Sequence, residues 1–237
     1  MHGCIASALP GGHHAAMTRT LALLALPFTL PLALAGCSET PAPETEAETS
    51  AESPQDAFWA ALSSHCGKAY AGRMVSDEEV DADMRGAEMA MHVRECSERE
   101  IKVPFHVRAE GGEWDRSRTW VLTRTGEDGS AGLRLKHDHR HEDGSEDAVT
   151  MYGGDTASEG TARAQDFPVD AESVALFRRE GLDVSVTNVW RVEVDPAGAA
   201  DARFAYQLSR EGENARLFRV EFDPTGEIEP PPAPWGH

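Results

Sequence analysis

Residues 127–145 read Glu127-Asp128-Gly129-Ser130-Ala131-Gly132-Leu133-Arg134-Leu135-Lys136-His137-Asp138-His139-Arg140-His141-Glu142-Asp143-Gly144-Ser145. One tetrapeptide, Glu-Asp-Gly-Ser, stands at both ends of this stretch. Each copy carries the Asp-Gly pair that tight hairpins favour, because glycine takes a positive φ without a steric cost. The segment 131–141 between the turns is therefore expected to be a strand, and 118–152 an antiparallel meander. Working outward, strands are expected at 68–75, 87–96, 101–108, 118–125, 131–141, 147–152, 159–166, 186–194, 202–209 and 215–223. Gly, Asp, Asn and Pro punctuate them at regular spacing, as in a sandwich or barrel. A meander of such even strands closes most economically into a single up-and-down barrel of about 8–10 strands, which leaves no exposed edge. Two short helices complete the mainly β reading. One opens at Pro54-Gln55-Asp56 and stops at Gly67; the other fills 171–180, capped by Asp170 and ended by Gly181.

Side chains on a strand alternate faces. Leu133, Leu135, His137, His139 and His141 share one face, and Arg134, Lys136, Asp138, Arg140 and Glu142 the other. The charged row is expected in water, so the histidines continue the leucine face into the barrel. Successive imidazoles on such a row stand about 6.6 Å apart and the outer two about 13 Å, too far for all three to share one metal. A neighbouring pair, His137 with His139 or His139 with His141, together with a carboxylate across the turn, Glu146 or Asp147, is the candidate site for a divalent metal ion. Hydrogen bonding of these imidazoles to Asp138, Glu142 and turn carbonyls is the structural alternative. A cluster that responds to pH or contacts a substrate is a third. If the barrel holds a small ligand, Trp120, Leu133, Leu135, His137, His139 and Tyr152 are the expected lining. Residues 77–83 (Asp-Glu-Glu-Val-Asp-Ala-Asp) lack the spacing and glycine of an EF-hand loop and are expected to be a solvated acidic loop.

The order of a short helix, then Cys66-Gly67-Lys68-Ala69-Tyr70-Ala71-Gly72, then a meander resembles the calycin superfamily of lipocalins and fatty-acid-binding proteins. There a helix and a Gly-x-aromatic motif close one barrel end; here Tyr70 stands three residues after Gly67. The resemblance implies a calycin-like barrel. Within that group the chain looks most like uncharacterised secreted bacterial proteins carrying the His-Asp-His-Arg-His-Glu-Asp-Gly-Ser segment, a likeness that implies no activity. His139-x-His141, Glu146 and Gly153 are also similar to the first cupin motif, which would imply a metal-dependent enzyme. The second cupin motif is missing, and His92 and His106 would have to stand in for it. No nucleophile elbow, P-loop, dinucleotide glycine pattern or HExxH occurs in the sequence.

At the N-terminal side, Leu34-Ala35-Gly36-Cys37 follows Arg19 and a short apolar run interrupted by Pro27 and Pro31. This resembles the lipobox of bacterial lipoproteins, which implies a signal peptide over 1–36, translation from Met17 and diacylglyceryl attachment at Cys37. Two or more acyl chains hold a protein at the membrane almost permanently. Ser38, in place of the Asp that marks inner-membrane retention in enteric-type lipoproteins, implies the cell envelope at the outer membrane. Residues 37–55, rich in Pro, Glu, Thr, Ala and Ser, are expected to be a disordered acidic tether. The domain is expected over 56–226 and a Pro-rich tail over 227–237. The 237 residues carry a formal charge of −19, a balance that repels nucleic-acid phosphates and argues against a nucleic-acid partner. With Cys4 and Cys37 set aside, Cys66 and Cys96 remain as a pair for an oxidising compartment, expected as a disulfide. Three functional expectations follow: a small-ligand-binding barrel, a metal-dependent protein, and a solid barrel with a structural or interaction role.

Overall fold

A computed structural model describes residues 52–108 and 112–237. The leader, Met17, the lipobox cysteine Cys37 and the tether up to residue 51 lie outside the described residues. Helix α1 covers Pro54–Ser63. Ser53 caps it by accepting from the Asp56 amide, and proline stands in its first turn, where no backbone donor is lost. Phe58, Trp59 and Leu62 on its inner side are buried.

Eleven strands follow among the described residues: β1 (Ala69–Met74), β2 (Glu88–His92), β3 (Glu95–Cys96), β4 (Glu100–Arg108), β5 (Asp115–Thr125), β6 (Gly132–His139), β7 (Tyr152–Asp155), β8 (Ala164–Pro168), β9 (Val189–Val194), β10 (Phe204–Arg210) and β11 (Arg216–Ile228). Helix α2 (Ala171–Arg179) separates β8 from β9, and Asp170 caps it as expected, accepting from Ser173. Every ladder is antiparallel, in the order β7-β6-β5-β4-β2-β1-β11-β10-β9-β8, with the short β3 pairing on β4. The fold is thus a nearly closed ten-strand up-and-down barrel. Pairing of β1 with β11 brings the two ends of the domain together, so the gap in the ladder falls between β7 and β8.

That seam is bridged rather than laddered. The Asp170 amide donates to the Gly153 carbonyl (3.0 Å), and the Gly153 amide donates to Ser173 Oγ (2.8 Å). The approach is close enough that a Cβ on Gly154 would stand 1.8 Å from the Pro168 carbonyl oxygen. Glycine is required there by contact, since its backbone carries no positive φ.

Two expected strands start late. Over 147–151 the Asp147 side chain accepts from the Val149 amide and Met151 sits at φ 54, so extension begins only at Tyr152. Thr161 Oγ1 accepts from Arg163 and Ala164, holding a turn that delays β8 to Ala164. Cys66 and Cys96 are joined in a disulfide.

The barrel unit also extends beyond 56–226 at both ends. Residues 53–55 form the start of α1, and the expected tail begins inside β11. The rest of that tail lies on the outer wall. Arg116 donates to the Ala233 carbonyl (2.7 Å), the Trp235 amide to Arg116 (3.1 Å), His106 Nε2 to the Pro232 carbonyl (3.0 Å), and His237 Nε2 to Asp138 (3.0 Å).

Candidate functional site at the barrel mouth

The register of the central ladders places side chains across the interior in rows. Val103 lies opposite Trp120, Trp120 opposite His137, and His137 opposite Tyr152. One step nearer the strand ends, Arg118 faces His139. Because opposed residues on neighbouring strands share a face, this wall runs from an apolar interior to a polar rim. Trp120 is held on both sides, stacked on Phe105 (centroids 5.0 Å apart) and on Tyr206 (4.3 Å). His137 stacks on Tyr152 at 4.7 Å.

These groups surround a cavity of about 190 Å³, lined also by Asp81, Met84, Leu208, Arg216 and Phe218. Its floor is core. Leu133 and Leu135 are fully buried deeper in the barrel and do not reach it. Helix α1 closes the other end, where Arg124 pairs with Asp56 and lies over the Trp59 ring. Over the open end lies a 3₁₀ turn, Glu79–Met84, with Asp81 buried against the barrel through an ion pair to Arg216. The segment expected as a solvated acidic loop is therefore partly a cover.

The two inner histidines are neutral hydrogen-bonding groups. His137 Nδ1 donates to the Tyr152 carbonyl (3.1 Å), so Nε2 accepts from the Tyr206 hydroxyl (2.8 Å). Burial, then the neighbouring His139, pushes its pKa down to about 3. His139 Nε2 meets the Tyr152 hydroxyl at 3.1 Å, and burial with the adjacent Arg118 lowers its pKa to about 4. Burial likewise raises the Tyr152 phenol to about 12. At neutral pH the wall thus offers neutral imidazoles and un-ionised phenols, while formal charge resides on the arginines and Asp81.

The expected metal set is not assembled. Strand β6 ends at His139; His141 lies in the following turn, where its amide donates to the Ser145 carbonyl, and its side chain is exposed. Glu146 is exposed as well and pairs with Arg140. Both Nε2 and Nδ1 of His137 are committed to protein partners. Among the described residues no group of three or more His, Cys, Asp or Glu is placed to hold a metal ion. His92 is half-buried, and His106 is buried under the C-terminal strap. Of the expected lining, Trp120, His137, His139 and Tyr152 meet at the cavity.

The outer face of β6 corrects a second expectation. Lys136 and Asp138 are buried, not solvated. Helix α2 covers Lys136, which donates to Asp170 (2.8 Å) and to Glu172 (3.4 Å). The strap covers Asp138, which accepts from Arg140 and His237. Arg118, Tyr206, Arg216 and Asp81 were missed as site residues. Parity carried a signal for three of them: Arg118 shares the face of Trp120, Tyr206 that of Phe204 and Leu208, and Arg216 that of Phe218 and Val220. Asp81 had none, since nothing local shows that its loop folds over the mouth.

Comparison with protein-family models, curated proteins and solved structures finds no match to this chain.

Proposed function

We propose that this chain is a lipid-anchored envelope protein whose barrel binds a small molecule in the mouth cavity. One observation carries the reading. The barrel is not filled throughout by its own side chains but keeps a space of about 190 Å³ where rings, neutral imidazoles and phenols converge with charged groups. Concave sites with apolar walls and a few placed polar groups are the usual form of a ligand site. The position of α1 supports it further. Helix α1 stands at the plugged end and leaves the mouth free of it. The lipobox resemblance supports the anchor itself, and the disulfide agrees with an oxidising compartment.

The test is native mass spectrometry of the purified protein before and after denaturing extraction, with a thermal-shift screen of small molecules. A ligand present at 100 times its Kd stabilises a folded protein by about 2.7 kcal/mol, several degrees in the midpoint. Trp120→Leu, which removes a wall of the cavity, is expected to abolish the shift. A screen in which nothing shifts the wild type, with no extractable ligand, would favour the solid-barrel alternative. For the anchor, labelling with a radioactive fatty acid is expected in the wild type and absent in Cys37→Ser.

A further inference from the structure

Three inward-facing rows end in arginine at the mouth: Arg118 after Leu122 and Trp120 on β5, Arg210 after Tyr206 and Leu208 on β10, and Arg216 before Phe218 and Val220 on β11. Arg210 and Arg216 are directly opposed across the β10–β11 ladder, an arrangement of like charges that is destabilising unless an anion lies between or beside them. Arg118 has Asp115 as its partner. For the opposed pair the buried counter-charge is Asp81, which meets Arg216 by one oxygen and one nitrogen, Oδ1 and Nη2. That pairing is incomplete. Oδ2 of Asp81 and the Nε atoms of Arg210 and Arg216 are buried without a hydrogen-bond partner among the described residues. A guanidinium offers a planar fork suited to two parallel bonds with a carboxylate, and Asp81 uses half of it.

Asp81 comes from a short 3₁₀ turn with few polar ties to the barrel. Its 3₁₀ turn has exposed Val80, and Arg85 at its end bonds within the same segment, to Asp77, Glu78 and Glu79. Ties to the barrel are the Asp81 pair, the Glu78 side chain accepting from Leu217 (3.3 Å), and Met84 packed on the core. A free carboxylate would compete with Asp81 for the same guanidinium. The remaining space is sized for one ring: about 190 Å³ here, against the roughly 150 Å³ apolar cavity that accepts benzene. Its walls are ring edges and faces from Phe105, Tyr152, Tyr206 and Phe218. The charge on the lining sets the valence. With Arg118 already paired to Asp115, a ligand that takes the place of Asp81 on Arg216 replaces a single negative charge, which a monoanion matches and a dianionic phosphate would exceed in a desolvated site.

Resting on the ligand-binding reading above, we propose that the cavity takes a single-ring aromatic carboxylate, whose carboxylate displaces Asp81 from Arg216 while the ring packs among the mouth aromatics. Asp81 is then a built-in competitor, and the Glu79–Met84 turn opens as the ligand enters.

The experiment is isothermal titration of the purified protein with benzoate, benzamide and benzylammonium, probes of one size and three charges. Benzoate is expected to bind at least tenfold more tightly than either of the others. Asp81→Asn is expected to strengthen benzoate binding threefold or more, because the competing carboxylate is gone. Arg216→Gln is expected to weaken it at least tenfold, and circular dichroism checks its fold. If Arg216→Gln does not fold, Asp81→Asn and Arg118→Gln carry the test, the latter with an expected loss of about tenfold. Benzamide binding as well as benzoate, or Asp81→Asn leaving the benzoate affinity unchanged or weaker, would overturn the proposal and leave the cavity reading intact. If none of the three probes binds, this proposal falls; the ligand screen of the wild type then decides the broader reading separately.

Discussion

His137 illustrates how one residue couples the interior to pH. Its folded-state pKa, about 3, lies below the ordinary value of 6.5 because the cationic form would be desolvated. Between those values the unfolded chain binds a proton that the folded chain refuses, so stability is complete above pH 6.5 and declines as pH falls toward 3. At pH 5 this one group removes about 2 kcal/mol relative to pH 7.5, at about 1.4 kcal/mol per pH unit below 6.5. His139, lowered to about 4, and the buried His65 and His106, also lowered, act in the same sense. His137→Gln keeps a donor for the Tyr152 carbonyl and an acceptor for Tyr206 but cannot titrate. Urea midpoints at pH 7.5, 6 and 5 are expected to fall less steeply in this variant than in the wild type. Parallel slopes would show that the His137 proton is not linked to folding.

At the scale of elements, the decisive contact is the seam between β7 and β8, where no ladder exists and Gly154 allows backbone to touch backbone. A Cβ on Gly154 meets a carbonyl oxygen that cannot rotate away. Gly154→Ala is therefore expected to cost about 3 kcal/mol, at the upper end of overpacking effects, read as a lowered urea midpoint. An unchanged midpoint would mean that the seam is wider than the structure has it. The C-terminal strap behaves as an element without being a helix or a strand. Truncation after Pro231 removes the acceptor of His106 and a partner of Asp138, two buried polar groups. Leaving a group such as His106 unsatisfied costs about 1–3 kcal/mol, whereas Asp138 keeps Arg140. A truncated chain as stable as the full one would show that the strap is not a structural part of the barrel. These elements were the hardest to read from sequence. Local turn chemistry at Asp147 and Thr161 shifted two strand starts by several residues, and a proline-rich segment gives no periodicity from which docking can be inferred.

For the molecule as a whole, the disulfide ties the end of α1 to β3, so that the plug is covalently attached to the wall it seals. Closing a loop of about 31 residues stabilises by about 3.5 kcal/mol in the chain-entropy model. Replacing both Cys66 and Cys96 by serine is expected to lower stability by that order, and adding reductant to the wild type is expected to match it. A variant that melts with the wild type would show that the plug holds by packing alone. The cavity, by contrast, owes nothing to the disulfide. It lies at the opposite end, under the Glu79–Met84 turn, so the serine variant is expected to retain any ligand-induced thermal shift once refolded.

Backbone periodicity is local, and what depends on it was present in the chain itself: repeated Asp-Gly turns, alternation along 131–139, a helix start at Pro54, a cap at Asp170, and a cysteine pair. Which face of a strand stays dry is set by segments far away in sequence. Helix α2 and the C-terminal strap bury Lys136 and Asp138 on the face that alternation assigned to water. Folding also gathered Asp81, Arg118, Arg210 and Arg216, spread over 135 residues between Asp81 and Arg216, around one opening. Alternation tells each side chain which way to point, but the company it meets there is decided by closure of the barrel.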